Sequence, residues 1–231
     1  VELNRRDIDV ESSNGSLLWE PWEILKQDGS PYKVFTPFFR RGCLSSQEPR
    51  LPLDPPTNFL YPDKISSGVE IDELRLLPNK SWKNKISNKW KIGENSAKLK
   101  LADFVENGLK KYKEGRNYPS QRNVSRLSPH LHWGEISPNQ AWYSAIDSDP
   151  NLDRNTDHFL SELGWREFAY SLLFFFPDLP KKNLQARFDD FKWREDSSLL
   201  TAWQSGLTGY PIVDAGMREL WETGYMHNRV R

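Results

Sequence analysis

One cysteine, Cys43, occurs in 231 residues, so the chain can form neither an internal disulfide nor a cysteine-based metal cluster. That scarcity points to a reducing, intracellular compartment, where Cys43 reads as an inert buried thiol before it reads as a nucleophile. No run approaches the ~18 apolar residues that a membrane span requires, and the opening VELNRRDIDV lacks the apolar stretch of a signal peptide. Also missing are GxxxxGK[ST], GxSxG and HExxH, which removes most support for nucleotide-triphosphatase and hydrolase readings. The four histidines, His130, His132, His158 and His227, show no metal-ligand spacing, so no metal is expected. Net charge is absent as well: 32 Lys+Arg balance 32 Asp+Glu.

Aromatic residues are plentiful. Ten Trp, eight Tyr and twelve Phe supply a sizeable core despite a mean hydropathy of -0.75, because each ring buries a large area. Disorder throughout is thereby excluded. The zero net charge hides an asymmetry. From Lys80 to Arg126 there are thirteen Lys/Arg against Glu94, Asp103, Glu106 and Glu114, leaving an acidic remainder. Interleaved with Trp82, Trp90 and Tyr112, this stretch has the composition of a surface that meets phosphates and stacks bases. A solvated helix face with ring anchors has the same composition.

At about 150 residues per domain the length gives roughly one and a half domains, the size expected of a piece of a longer protein. IDVESSNGSLLWEPWEI reads as a short strand, a turn at Asn14-Gly15 and a second extended run. Prolines then recur from Gly29 to Pro78, including Pro31, Pro37, Pro49, Pro52, Pro55, Pro56 and Pro62, which reads as an extended connector wrapped over a surface. Helices follow. Leu101, Phe104, Val105, Leu109 and Tyr112 have amphipathic spacing, closed by Gly115. Ser137-Pro138-Asn139-Gln140 is a capping box with Pro at the first helical position. The segment from Asp157 to Phe176 is apolar nearly all round and stops at Pro177. Asp196 can cap SSLLTAWQS, Pro211 to Gly224 bounds another helix, and a last one is expected near Met226.

Glu162, Trp165, Arg166 and Ala169 lie at i, i+3, i+4 and i+7, so an acid, a ring and a guanidinium share one helix face. A buried charge needs a partner. Two readings stand side by side: an i,i+4 ion pair between Glu162 and Arg166, or a polar patch lining a cavity with Trp165 as a stacking wall. VSRLS, residues 124–128, lies between a loop and a helical stretch, where hydroxyls, N–H groups and Arg126 can converge on a phosphate, although Ser125 and Ser128 also read as plain N-caps.

Taken in order, YKEGRNYP, SRLSPHLHWGEISP, ELGWREF, NLQARFDDFKW, AWQSGLTGYPIVDAGMREL and MHNRVR resemble the flavin-binding helical domain of the photolyase and cryptochrome family. More narrowly they resemble the class I cyclobutane pyrimidine dimer photolyases of bacteria, with Val124 where that pattern has Thr. The resemblance implies a mainly α fold. Residues 1–28 would be the tail of an N-terminal α/β antenna domain, 29–79 the interdomain linker, and 80–231 an incomplete helical FAD-binding and DNA-binding domain. It implies that Tyr112, Ser125, Arg126, Leu127, Ser128 and Arg231 contact FAD, the last by pairing with an aspartate that this sequence does not contain. A flipped pyrimidine dimer would meet Glu162, Trp165, Arg166, Asn228 and Arg229, with Arg116 on the DNA backbone. Glu162, Asn228 and Trp193, the solvent-side member of a tryptophan electron-transfer chain, would carry the chemistry.

The implied activity is that of a deoxyribodipyrimidine photo-lyase, a monomer of the bacterial cytoplasm, associated with the nucleoid through DNA that contains pyrimidine dimers. The implied cofactors are FAD and a folate or deazaflavin antenna chromophore. A cryptochrome-type blue-light photoreceptor is the alternative, and Glu162 with Trp165 favours repair over it. Asn228 stands where the six-four photolyases have His. A non-catalytic helical DNA-binding module is a third reading.

Overall fold

Most helices expected from local signals form, with caps at Ser137 and Asp196 and a stop at Gly224, but the last helix expected near Met226 does not. The computed structural model describes residues 3–6, 8–11, 13–58, 60, 68–77 and 79–231; Pro62 and Pro78 of the proline-rich stretch lie outside them. Among the described residues the fold is mainly helical and contains no strand, only an isolated antiparallel bridge between Leu25 and Pro31. In chain order the helices are α1 (Phe35–Pro37), α2 (Trp82–Ser87), α3 (Glu94–Asp103), α4 (Tyr112–Gly115), α5 (Ser128–His132), α6 (Pro138–Ser148), α7 (Arg154–Phe175), α8 (Ser197–Gln204) and α9 (Pro211–Thr223). Two of them run on through irregular turns. α1 continues as a π turn, Phe38–Gly42, and a 3-10 turn, Cys43–Ser45. α3 reaches α4 through a π turn, Phe104–Gly108, and a 3-10 turn, Leu109–Lys111.

The chain divides into two compact units. The first comprises residues 1–52, 93–116 and 121–192, the second 53–92, 117–120 and 193–231.

In the first unit the hydroxyl of Ser137 accepts the Gln140 N–H at 3.1 Å while the Gln140 carbonyl oxygen accepts the Ser137 N–H at 2.9 Å, completing the capping box of α6. Asp153 caps α7 by accepting the N–H groups of Asn155 and Thr156, which hold its carboxyl below the ordinary value. One core gathers Trp19, Phe38, Phe39, Phe104, Tyr112, Trp142, Phe159 and Phe168 with smaller aliphatic residues around them. Cys43 belongs to this core; burial pushes its thiol well above the usual range, so it is inert.

Two expectations are corrected here. No strand forms in the described part of residues 8–24. Asn14 does make its turn, its side chain accepting the N–H groups of Ser16 and Leu17, but the next amides turn to a side chain instead of a neighbouring strand. Glu167 accepts Leu18 N–H at 2.8 Å and Trp19 N–H at 3.2 Å. Buried donors must be satisfied, and a carboxylate serves as well as a ladder. The proline-rich stretch is likewise not extended throughout. Phe35, Phe38, Phe39 and Cys43, at i, i+3, i+4 and i+8, turn residues 35–45 into a helical segment whose apolar side enters the core.

In the second unit Asp196 caps α8 through the N–H groups of Ser198 and Leu199, and Gly224, at φ 71°, closes α9 in the left-handed conformation that glycine adopts most easily. Asp214 accepts the Thr208 hydroxyl and the N–H groups of Thr208 and Gly209, which lower its pKa and fix the turn before α9. Lys85 pairs with Glu222 at 2.6 Å, and the Trp90 indole N–H donates to the Thr223 carbonyl at 2.6 Å, tying the α2 region to α9. After Gly224 the chain makes a single turn, Val230 N–H bonding to the His227 carbonyl.

Candidate functional site

α7 carries a set of polar side chains, His158, Glu162, Arg166 and Glu167, among its apolar residues. Its cap at Asp153 and its apolar residues Phe159, Leu160, Leu163 and Phe168 fix it in the core, so the side chains between them are held in register. Glu162 and Arg166 do not pair with each other. Glu162 Oε1 instead accepts from the guanidinium of Arg116, a residue 9% exposed, and lies 4.0 Å from His158 Nε2. Desolvation is the largest single influence and pulls the Arg116 pKa down, yet the hydrogen bond to Glu162 together with the charge interactions with Tyr112 and Glu162 outweighs it and holds the group above its usual value. Its guanidinium also lies over the Tyr112 ring at 5.4 Å. Burial, then the nearby charge of Arg116, lowers the His158 pKa and keeps that imidazole neutral. The outcome is a carboxylate oriented by one charge-assisted bond and still partly open, its Oε2 available to a ligand N–H.

Trp165, one turn on, is 47% exposed and lies flat against Phe35, with ring centroids 3.8 Å apart. Its other face is open to a planar ligand. Arg166 turns the opposite way. It donates to the Ser16 carbonyl and to Glu167 Oε1 at 3.3 Å, and lies over the Tyr170 ring at 4.9 Å. Burial pushes the carboxyl of Glu167, 3% exposed, up to about 7 against the lowering by its two backbone donors. Arg116 and Glu162, far apart in sequence, thus face each other. Arg166, which the resemblance places with the lesion, is engaged by the N-terminal segment.

The loop at residues 125–128 presents Ser125, Arg126 and Ser128 at or near the surface and buries Leu127. Arg126 adopts φ 52°, an unusual conformation for a non-glycine residue and one that opens the turn. α5 that follows is five residues long, too short for a strong helix dipole, so an anion at this loop would have to be held by the loop's own donors. Beside it, buried His130 gives Nδ1 to Glu135 while Nε2 has no partner among the described residues. Two hydroxyls, backbone N–H groups and a guanidinium are donor types that fit a phosphate-bearing cofactor, whereas His130 Nε2, with Nδ1 donating to Glu135, is a buried acceptor.

The remaining expected residues belong to the second unit. Trp193 is 81% exposed; Asn228 and Arg231 are exposed in the terminal turn; Arg229 Nε donates to Asn117 Oδ1 at 2.9 Å. The basic stretch is shared between the units, and its rings are not free for bases as composition suggested. Tyr112 is buried among Phe104, Phe159 and His158, Trp90 is tied to α9, and Trp82 alone of the three is exposed. Sequence reasoning missed Phe35, Arg40, Asp157 and Glu167. Arg40 and Asp157 form a bidentate pair at 2.6 Å that joins the helical segment of α1 to α7, each shifting the other toward its charged form. The i, i+4 spacing of His158 and Glu162 was the one local signal for this cluster.

The chain is similar to known proteins along its whole length. Residues 159–231 match the FAD binding domain of DNA photolyase, and residues 1–57 match the DNA photolyase model. The chain is 45% identical over its whole length to a deoxyribodipyrimidine photo-lyase of Agrobacterium fabrum, covering 48% of that protein. It is 34% identical to Cryptochrome-2 of Arabidopsis thaliana, over 100% of this chain and 40% of the relative. A bacterial class III photolyase from Agrobacterium tumefaciens superposes with a TM-score of 0.91 at 44% identity, covering 100% of this chain and 48% of that one. The chain spans about half the length of the curated relatives it matches.

Proposed function

The chain belongs to the photolyase and cryptochrome family, and from that premise we propose that it carries the lesion-binding face of a deoxyribodipyrimidine photo-lyase. The observation that carries this reading is the pairing, on one face of α7, of an indole with an open face and a carboxylate held by Arg116. A pyrimidine dimer turned out of the helix presents a flat apolar surface and ring N–H groups. Trp165 stacks on the first and Glu162 accepts from the second. A distorted, weakly stacked dimer lowers the cost of extrusion, which is one source of selectivity. Lys and Arg of residues 80–126 add salt-dependent affinity for phosphates.

Tyr112 and the loop Ser125–Ser128 would hold FAD, together with Arg231. Reduced FAD, when bound, supplies under blue light the electron that opens the cyclobutane ring. The residues of this chain bind, orient and stabilise charge: Glu162 steadies the electron-rich dimer by hydrogen bonding, and Trp193 relays electrons from the solvent side. An antenna chromophore of folate or deazaflavin type belongs to the same reading. Asn228 and Arg229 contact the lesion, and the working form is a cytoplasmic monomer on DNA.

The test is restoration of thymine dimers in an oligonucleotide by the flavin-loaded protein under blue light. Binding of FAD without repair would sink the proposal and leave a light sensor, a reading favoured by the 34% identity to a plant cryptochrome. In the repair-competent protein, Glu162→Ala lowers the repair yield on the order of tenfold with flavin content intact. Loss of flavin in that variant would assign Glu162 to structure instead.

A further inference from the structure

Trp165 is the outer member of a column of rings. Its indole and Phe35 have planes 10° apart, and Phe35 in turn lies 9° from parallel to Phe39 at 5.6 Å. Phe168 meets Phe35 and Trp165 edge-on, at 6.0 and 5.9 Å. The column is anchored at its inner end. Phe39 is 1% exposed and rests on the α7 backbone at Gly164, where an added Cβ would come within 2.4 Å of the ring. The next residue, Arg40, is pinned to Asp157 on α7. Packing or ion pairing fixes every ring except at the outer face of Trp165.

We propose that Phe35 is a positioning residue for lesion recognition, holding the Trp165 indole in the plane that a flipped pyrimidine dimer stacks on. The proposal rests on the reading of Trp165 as the stacking wall. An indole that projects from a helix swings about its side-chain torsions, and binding must then freeze it. A flat ring against its back removes that freedom in advance. An aliphatic side chain fills the volume without defining the plane, so the aromatic character of position 35 is what matters.

The experiment uses the flavin-loaded protein and a duplex oligonucleotide with a single thymine dimer, alongside the same duplex undamaged. Wild type, Phe35→Leu, Phe35→Tyr and Trp165→Ala are compared for affinity. The ring environment is read from 19F spectra of protein labelled with 5-fluorotryptophan, in which the Trp165 line is assigned by its loss in Trp165→Phe. Phe35→Leu is expected to weaken binding to the dimer about tenfold, a share of the stacking contribution of one base. It should also move the Trp165 line, with flavin content and affinity for undamaged DNA unchanged. Phe35→Tyr restores both. Undiminished dimer affinity in Phe35→Leu, with Trp165→Ala weakened, overturns the role of Phe35 alone. Undiminished affinity in Trp165→Ala overturns the stacking wall itself, and the positioning role with it. Equal loss on damaged and undamaged DNA, or loss of flavin, reduces Phe35 to a packing residue and also overturns the proposal. If Phe35→Leu fails to fold, Phe35→Met takes its place with the same outcomes.

Discussion

Two glutamates five residues apart on α7 live in opposite environments. Glu162 is partly open, its carboxylate oriented by Arg116 with one oxygen left for a ligand. Glu167 is closed in, both oxygens engaged by the backbone of Leu18 and Trp19 and by Arg166. One flank of the helix presents chemistry, and the other fastens the N-terminal segment to the core. Residue type does not separate them; what faces each carboxylate does.

The sharpest break in the contrast is a stability measurement. Glu167→Ala leaves two buried N–H groups without an acceptor, and a loss of about 3 kcal/mol is expected from the midpoint of urea unfolding. Glu162→Gln, which keeps an acceptor for Arg116 at a partly exposed position, should lose clearly less. Equal losses would mean that both flanks are scaffold.

A second effect, similar in origin, depends on pH. In the folded chain burial raises the Glu167 carboxyl from its ordinary 4.5 to about 7, so between those values the folded state holds a proton that the unfolded chain has released. Stability from this position is therefore fully present below about pH 4.5 and is lost as pH rises toward 7. At about 1.4 kcal/mol for each pH unit that separates the two values, the full contribution is at most between about 3 and 4 kcal/mol. Glu167→Gln cannot ionise, so its unfolding midpoint should fall less than the wild type's between pH 5 and 7.5. Parallel curves for the two proteins would show that Glu167 does not titrate in this window.

How far this contrast could be read in advance depends on sequence separation. The caps at Ser137 and Asp196, the stop at Gly224 and the span of α7 follow from signals within a few residues, and each formed as expected. The partners of the two glutamates did not. Arg116 lies 46 residues from Glu162, and Leu18 lies 149 from Glu167, distances over which spacing carries no information. Arg166 looked like the natural partner of Glu162 because the i,i+4 rule is the only pairing rule a helix offers by itself. The helical segment at 35–45 was legible in its phenylalanine spacing, but neighbouring Pro31 and Pro37 favoured an extended reading. Pro37 sits in the first turn, where a missing N–H costs nothing. The family resemblance rested on motifs spread along the whole second half of the chain and needed none of these contacts.

The smallest expected effect also discriminates most finely, because it concerns the residue on which resemblance and geometry diverge. Arg166 neighbours both glutamates, and by resemblance it would neutralise phosphate or acid near the lesion. Here its guanidinium donates to the Ser16 carbonyl and to Glu167 and covers Tyr170, so it belongs with the closed flank. Arg166→Lys keeps the charge and loses the planar fork that serves the carbonyl, the carboxylate and the ring together. A loss of about 1 kcal/mol in unfolding free energy is expected, with affinity for a dimer-containing duplex unchanged at fixed salt. Weakened dimer binding with stability intact would instead move Arg166 to the open flank. The boundary between chemistry and scaffold on α7 would then lie between residues 166 and 167 rather than between 165 and 166.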